Sequence, residues 1–273
     1  MMHMTETVSH SDVFCARVLE NFSETYKIAH SPILEGETFS AFCMGLGVLS
    51  NALSDMLMPI SEYPALIAEF LPDDSPGLDM ARRISMASER MGDLNQHLIR
   101  LCHGHEGQPS TVDLALLAHE VLSDLLPHLD IPNDVQLELE IDDQPSTMCG
   151  LYDALYHMVR DMCLNAVHNL GTAGRFTIRV GTLGVEPNDP LHVRGIPGGS
   201  HLLLQFRDSG PGIAPSCRDT LFDPFVTTSS SEGRGLGLCS VYRTVRHHEG
   251  SILYNPDGTS GSDFLLLFPR ETA

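Results

Sequence analysis

Leu46, Leu49, Leu53, Met56 and Ile60 recur at spacings of 3, 4, 3 and 4. Ile84, Ala87, Met91, Leu94, Leu98 and Leu101 recur at 3, 4, 3, 4 and 3. Each run is a heptad-type seam, the pattern that lines one stripe of an α-helix with apolar side chains. Between them Pro64, Pro72 and Asp73-Asp74-Ser75-Pro76 mark a turn region. Two helices with so short a connection predict an antiparallel hairpin. Neither seam has enough partner surface alone, whereas two hairpins bury both as a four-helix bundle, so the pattern predicts a homodimer. Phe42 to Ile60 is mostly apolar, but Ser50, Asn51, Ser54 and Asp55 cluster within it and Pro59 follows. It reads as a packed helix in water, with no membrane span.

Composition narrows the function. The 273 residues carry 16 Lys+Arg against 36 Asp+Glu, a formal charge of −20. Neutralising phosphates needs clustered Lys and Arg, so nucleic acid is disfavoured as a partner, as is an anionic membrane surface. Seven cysteines, at 15, 43, 102, 149, 163, 217 and 239, form no CxxC pair. They read as small hydrophobes in a reduced, cytoplasmic protein. Cys102, His103 and His105 lack a fourth ligand and read as a polar helix end rather than a metal site. The first ten residues have no basic stretch before an apolar core, so they are not read as a signal peptide.

Three segments are expected. Residues 1–38 form an N-terminal helical extension, helical in part over Val13 to Ile28 and broken near His30-Ser31-Pro32. Residues 39–105 form the dimerisation hairpin, and His103 to Pro109 reads as a linker. Residues 110–273 alternate helices (Val112–Leu129, Leu151–Leu170, Leu238–His248) with strands (Val135–Ile141, Arg175–Val180, Leu202–Phe206, Ser251–Tyr254, Phe264–Phe268). The fold class is α+β: a helical hairpin followed by a two-layer α/β sandwich. Glu186 to Ser200 reads as a loop.

Four blocks in the second half carry chemistry. On the helix Leu151–Leu170, Asp161, Asn165 and His168 share one face while Leu155, Met158, Met162 and Ala166 line the other. A carboxylate and an amide on one stripe can hold Mg²⁺ and its waters, although taken alone the stripe reads first as a solvated helix face. Asp208-Ser209-Gly210-Pro211-Gly212-Ile213 follows a strand. Its glycines let the backbone approach a ligand, and its Asp can accept from an exocyclic amine. Leu221-Phe222-Asp223-Pro224-Phe225-Val226-Thr227-Thr228 sets two aromatics around a proline, which can anchor one end of a loop. Gly233-Arg234-Gly235-Leu236-Gly237-Leu238 runs into a helix, an arrangement that presents N–H groups to an anion.

In this order the blocks resemble the N, G1, F and G2 boxes of the histidine-kinase ATP-binding domain, whose wider family includes gyrase B, the Hsp90-type chaperones and MutL. The resemblance covers roughly residues 110–270. It implies ATP and Mg²⁺ as cofactors. Asn165 would bind Mg²⁺, and Asp161 would hold metal-bound water or serve as general base. Asp208 would read the adenine amino group, and Gly210, Gly212 and Ile213 would shape the base pocket. Thr228, Gly233, Arg234, Gly235, Leu236, Gly237 and Leu238 would form the lid. Ser229 stands where similar kinases often have Lys, with Arg234 a substitute charge, and His168 replaces a commoner acidic residue.

The front half resembles the phosphoacceptor hairpin of the same kinases. The family pattern His-Asp-Phe-Asn-Asn-Leu-Leu-Thr-x-Ile aligns without a gap on Asn51-Ala52-Leu53-Ser54-Asp55-Met56-Leu57-Met58-Pro59-Ile60. Asn51 therefore takes the place of the acceptor His, at an outward position, and Ala52 that of its activating acid. An amide nitrogen, its lone pair delocalised, is not a usable nucleophile. Asp55 lies one turn further on the same side. The resemblance implies a bacterial, two-component pseudokinase that binds ATP and regulates a partner, either a response regulator receiver domain or another histidine kinase. Two alternatives stand beside it. One is an active kinase with a partner or non-standard acceptor, and the other an ATP-independent phosphotransfer-type adaptor.

Overall fold

The computed structural model describes residues 4–9, 26–35, 37–72, 75–103, 107–129, 132, 134–187, 189–227, 235–255 and 261–270. The chain divides into two compact units: residues 32–104, and residues 1–31 together with 105–273.

In the first unit a single turn, α1 (Pro32–Glu35), precedes α2 (Glu37–Glu69), which packs along α3 (Pro76–His103). The apolar seams join these helices only in part: Leu49, Met56, Ile60, Ile84 and Met91 are exposed, Leu46, Leu53, Leu94 and Leu98 half-buried, and Leu101 buried. Small and polar side chains share the contact. The Ser61 and Ser88 hydroxyls lie 2.5 Å apart. Asn95 Nδ2 donates to the Ser50 carbonyl and to Ser54 Oγ, both at 2.8 Å. Phe39, Cys43, Leu57, Ala81 and Leu101 are the buried apolar members. Short side chains let two helices approach closely, with the Ser61 and Ser88 hydroxyls paired and the Asn95 N–H groups donating across the contact. Ser50 Oγ and Asn95 Oδ1 find no partner among the described residues. The turn expected from Pro64 onward starts later, because α2 continues through both Pro59 and Pro64 to Glu69. Pro64 is buried, so hairpin packing outweighs the backbone hydrogen bond its missing N–H forfeits.

The second unit contains strands β1 (Met4–Ser9), β2 (Lys27–Ile28), β3 (Ser110–Asp113), β4 (Asp134–Asp142), β5 (Thr147–Gly150), β6 (Ala173–Val185), β7 (Gly199–Asp208), β8 (Ser251–Tyr254) and β9 (Asp263–Pro269). Seven of them make one sheet in the order β1-β4-β6-β7-β9-β8-β2, and β3 pairs with β5. The first three strands of the sheet are mutually parallel and the others antiparallel. Helices α4 (Leu114–Leu125), α5 (Tyr152–Leu170) and α7 (Gly237–His247) cover one face. Period-two alternation aims Leu137, Leu139, Phe176, Ile178, Val180, Leu204 and Phe206 at these helices, and all are buried. Asp113 caps α4, its Oδ1 accepting from the Ala115 and Leu116 amides.

The N-terminal segment departs from the helical expectation. Residues 4–9 and 27–28 are the outermost strands of the sheet, Met4 beside Leu137 and Lys27 beside Tyr254. Lys27 and Ile28, placed by the sequence in a helix, are drawn into β2 by the open edge of β8. The rest of that expected helix, 13–25, lies outside the described residues.

The sheet face turned away from the helices is a second core. Tyr26, Leu183, Val185, Leu191, Ile196, Leu203, Leu253, Leu265 and Leu267 cluster there. The segment read as a plain loop contributes to it. Asp189 caps the short helix α6 (Pro190–Val193), which plants Leu191 in the cluster. Arg194 donates to the Tyr26 carbonyl. A polar row crosses the same face. Glu140 pairs with Arg179 at 2.7 Å, Arg179 donates to Gln205 at 3.1 Å, and Gln205 donates to Asp263 at 2.8 Å. Tyr26 closes the row, its hydroxyl donating to Asp263 Oδ2 at 2.5 Å. Burial pushes the Asp263 carboxyl above its ordinary pKa, opposed by the donors from Tyr26 and Gln205.

Candidate functional site: a pocket at the end of helix α5

Helix α5 buries Leu155, Met158, Met162 and Ala166, as its periodicity requires, and turns its C-terminal half toward a pocket. Asn165 and His168 lie on that pocket's wall. Gly212 and Ile213 contribute from the segment after β7, and Gly235, Gly237 and Leu238 from the approach to α7. Leu221, Val226 and Thr227 add the third block, so the chain brings together residues from all four blocks, over seventy positions of sequence.

The Asn165 side chain is held where a polar ligand suits it. Its Nδ2 is buried with no partner among the described residues. A Cβ added at Gly237 would lie 3.5 Å from that nitrogen, so the backbone of α7 passes close to the amide. Helix α7 opens at Leu236 with no side-chain cap, leaving its first N–H groups for another acceptor. An orphaned amide N–H beside an uncapped helix N-terminus fits a bound anion, and the oxygen of the same amide is the atom type that an oxygen-seeking metal ion takes.

Asp208 sits behind the wall rather than on it. It is buried, and its Oδ1 accepts from the Gly210 amide at 2.8 Å and the Ser262 amide at 3.3 Å. Burial raises its pKa, and these N–H donors pull it down. Gly261 has φ +108, and a Cβ there would fall 1.7 Å from the Asp208 carbonyl oxygen, so only glycine fits. Asp161 also departs from the expected solvent-facing stripe: it is 3% exposed and is not on the pocket wall. Its charge acts on the buried thiol of Cys239, which burial first and this carboxylate second push up to about 12. Gly210 and Leu236 likewise stand off the wall, and Leu236 is buried.

Of the two aromatics flanking Pro224, one anchors by its ring. Phe222 is buried with its centroid 5.7 Å from Tyr242, 5.4 Å from Tyr254 and 6.5 Å from Phe264. Phe225 is exposed and anchors by its backbone, its N–H donating to the Gly235 carbonyl at 2.8 Å. Phe225 has φ 67, a left-handed conformation rare for a bulky residue. Gly235 has φ +65, and a Cβ on it would meet the Phe225 carbonyl carbon at 2.4 Å. Both ends of the expected lid are therefore tied together at its base. Thr228, Gly233 and Arg234 lie outside the described residues.

Sequence reasoning missed Asn169, Cys217, Ser262 and Phe264, which also line the pocket. Ser262 and Phe264 come from the end of the chain and are brought in by pairing of β9 with β7. The pairing of a hydrophobic last strand with the strand before Asp208 was the signal for them. Asn51 and Asp55 lie on α2 in the other unit, and both are exposed. Among the described residues no group of three or more His, Cys, Asp or Glu side chains is placed to hold a metal ion. None of the helices among them is long and apolar enough to cross a membrane.

Comparison with known proteins assigns the class. Residues 150–272 match the family model described as "Histidine kinase-, DNA gyrase B-, and HSP90-like ATPase". Residues 150–272 of the sandwich are a domain of that kind, and the chain as a whole is similar to the catalytic cores of histidine kinases. Among individual relatives, it is 23% identical over 251 residues to the sensor histidine kinase ZraS of Salmonella typhimurium, covering 90% of this chain and 50% of that protein. It is also 23% identical to the sensor kinase CckA of Brucella abortus, over 89% of this chain and 26% of that one. The sensor protein kinase PmrB of Pseudomonas aeruginosa is 32% identical over 62% of this chain and 33% of its own length. The chain thus spans half or less of the curated relatives named here. Full-length ShkA in complex with AMPPNP superposes with a TM-score of 0.65 at 18% identity, over 84% of this chain and 46% of that one. Histidine kinase AdeS of Acinetobacter baumannii superposes at 0.51, with 18% identity, over 81% of this chain and 97% of that one.

Proposed function

We propose that this chain binds ATP with Mg²⁺ in the α5 pocket and acts as a regulator in two-component signalling without phosphorylating its own hairpin. The observation that carries the reading is the orphaned Asn165 amide, set against the uncapped N-terminus of α7 in a family ATPase domain. Asn165 would ligate the metal through its amide oxygen, with Asp161 one turn earlier on α5 acting through ordered water. The α7 N–H groups would hold phosphate oxygens, and Asp208 would orient the base from behind Ser262. Bound ATP supplies a transferable phosphoryl group. At the hairpin position that would receive it stands Asn51, exposed but without a nucleophilic atom, beside Ala52. ATP occupancy therefore acts through conformation. The partner in this reading is a receiver domain or another histidine kinase, reached as a homodimer through the exposed hairpin seams.

Calorimetric titration of ATP·Mg²⁺ tests the site. The expected result is one site per chain in the wild type and loss of binding in Asn165→Ala. Incubation with γ-labelled ATP tests the second half, and the expected result is no acid-labile phosphate on the purified protein. Label on a His of this chain, or transfer to a partner's His, would establish the active-kinase reading instead.

A further inference from the structure

The segment Tyr26–Ser31 runs directly into the helical hairpin, yet it is built into the ATPase domain. Tyr26, Ala29 and Ser31 are buried, Ser31 completely, in a stretch of chain with little regular structure. Its backbone is fixed by pairing of β2 with β8 and by the Ala29 amide donating to the Ile252 carbonyl at 2.8 Å.

Two of its side chains reach the walls of the nucleotide pocket from behind. Ser31 Oγ donates to Asp223 Oδ1 at 2.6 Å, across 192 positions of sequence. Asp223 lies between the buried anchor Phe222 and the left-handed Phe225, and the Val226 amide, next to pocket-lining Thr227, points back to its carbonyl. Ser31 thus grips the base of the lid. Tyr26 donates to Asp263, whose neighbours Ser262 and Phe264 both line the pocket, and the Ser262 amide holds Asp208. Tyr26 thus grips the strand that positions the base-reading carboxylate.

We propose that Tyr26–Ser31 is a coupling strap: Ser31 and Tyr26 are positioning residues for the nucleotide pocket, and they link its occupancy to the root of the hairpin that begins at Pro32. Neither touches the nucleotide. Each holds a residue one to three positions from the wall, Asp223 beside Val226 and Asp263 between Ser262 and Phe264, so binding tightens the strap and loosening the strap weakens binding. That reciprocity is a thermodynamic requirement of any such link. The inference rests on the ATP-binding reading above and assigns its regulation. A signal that pulls on the chain ahead of α1 would be felt in the pocket without passing through the linker at the other end of the hairpin.

The test uses the full chain carrying Ser31→Ala or Tyr26→Phe, each of which deletes one hydroxyl, with ATP·Mg²⁺ affinity and ligand-free Tm measured together. Val121→Ala is the control. It removes buried methyl groups from α4, which contributes nothing to the pocket. The expected result is a loss of affinity of about 5-fold or more for each strap variant, the lower end of typical coupling, with the control losing Tm but keeping its affinity. In the wild type, ATP·Mg²⁺ should also slow hydrogen exchange at the Ala29 amide. Strap variants that lose Tm yet bind within 2-fold of wild type, with no change at Ala29, would show a merely structural segment and overturn the proposal. A wild type that binds no ATP·Mg²⁺ at all would overturn the functional reading, and this inference with it.

Discussion

His248 shows how one side chain ties a distant helix into the domain. Its Nδ1 lies 2.8 Å from the Thr244 carbonyl, so that nitrogen carries the proton. Its Nε2 then accepts from the Leu151 amide at 3.1 Å, at the start of α5. Burial, the largest cause, holds its pKa below the ordinary value, and His247 beside it acts in the same direction. The sign follows from linkage. The unfolded ring takes up a proton near its ordinary pKa of about 6.5, while the folded ring resists until lower pH. The stability this neutral ring supplies is thus complete above that value and is lost as the pH falls below it. Thermal unfolding between pH 8 and 5.5 should show an acid limb below about pH 6.5, shallower in His248→Gln; parallel curves would exclude this role. Asn95 makes a comparable prediction in the hairpin. Asn95→Ala leaves the Ser50 carbonyl and Ser54 hydroxyl short of a donor, and the loss should be about 1–3 kcal/mol in denaturant unfolding.

At the scale of elements, the lid base is the most constrained joint. Gly235→Ala places a Cβ against the Phe225 backbone, which cannot give way as a flexible side chain would. The expected outcome is at least a 10-fold loss of ATP·Mg²⁺ affinity, about 1.4 kcal/mol, with little change in the circular dichroism of the helices. The same scale shows what the sequence revealed. The predicted helices and strands after residue 110 all appear, because each is specified by its own periodicity, and the glycines and carboxylate of the pocket blocks stand out by residue type. The contact inside the hairpin did not stand out. Ser50, Ser54, Ser61, Ser88 and Asn95 carry no hydrophobic signal, so the visible seams drew attention to a stripe that the hairpin leaves partly exposed. Strands 4–9 and 27–28 were hidden for another reason. Two to six residues pairing with strands more than 120 positions away leave no local pattern to read. Asp161 was misplaced on a solvated stripe because a helical wheel shows which residues share a face and not what packs against it.

At the scale of the molecule, the exposed seam residues set an expectation for assembly. Leu49, Met56, Ile60, Ile84 and Met91 are each about half exposed or more, an apolar stripe that the second hairpin of the proposed dimer would cover. Light scattering should give a dimer mass. Met56→Lys should give a monomer that still binds ATP·Mg²⁺, because the pocket is built wholly within residues 165–264. A monomeric wild type would remove this assembly from the proposed function. The hairpin is also an insertion: the domain starts before it and finishes after it. On the ribosome, β1 and β2 emerge early and wait, unpaired, until β4 and β8 have been made. A fragment cut at residue 105 would keep every block of the pocket yet lose the outermost strand on each side of the sheet. Open β-edges recruit other chains. The domain most readily excised by reading its motifs would therefore offer β4 and β8 as fresh edges, a route to association that does not run through the hairpin.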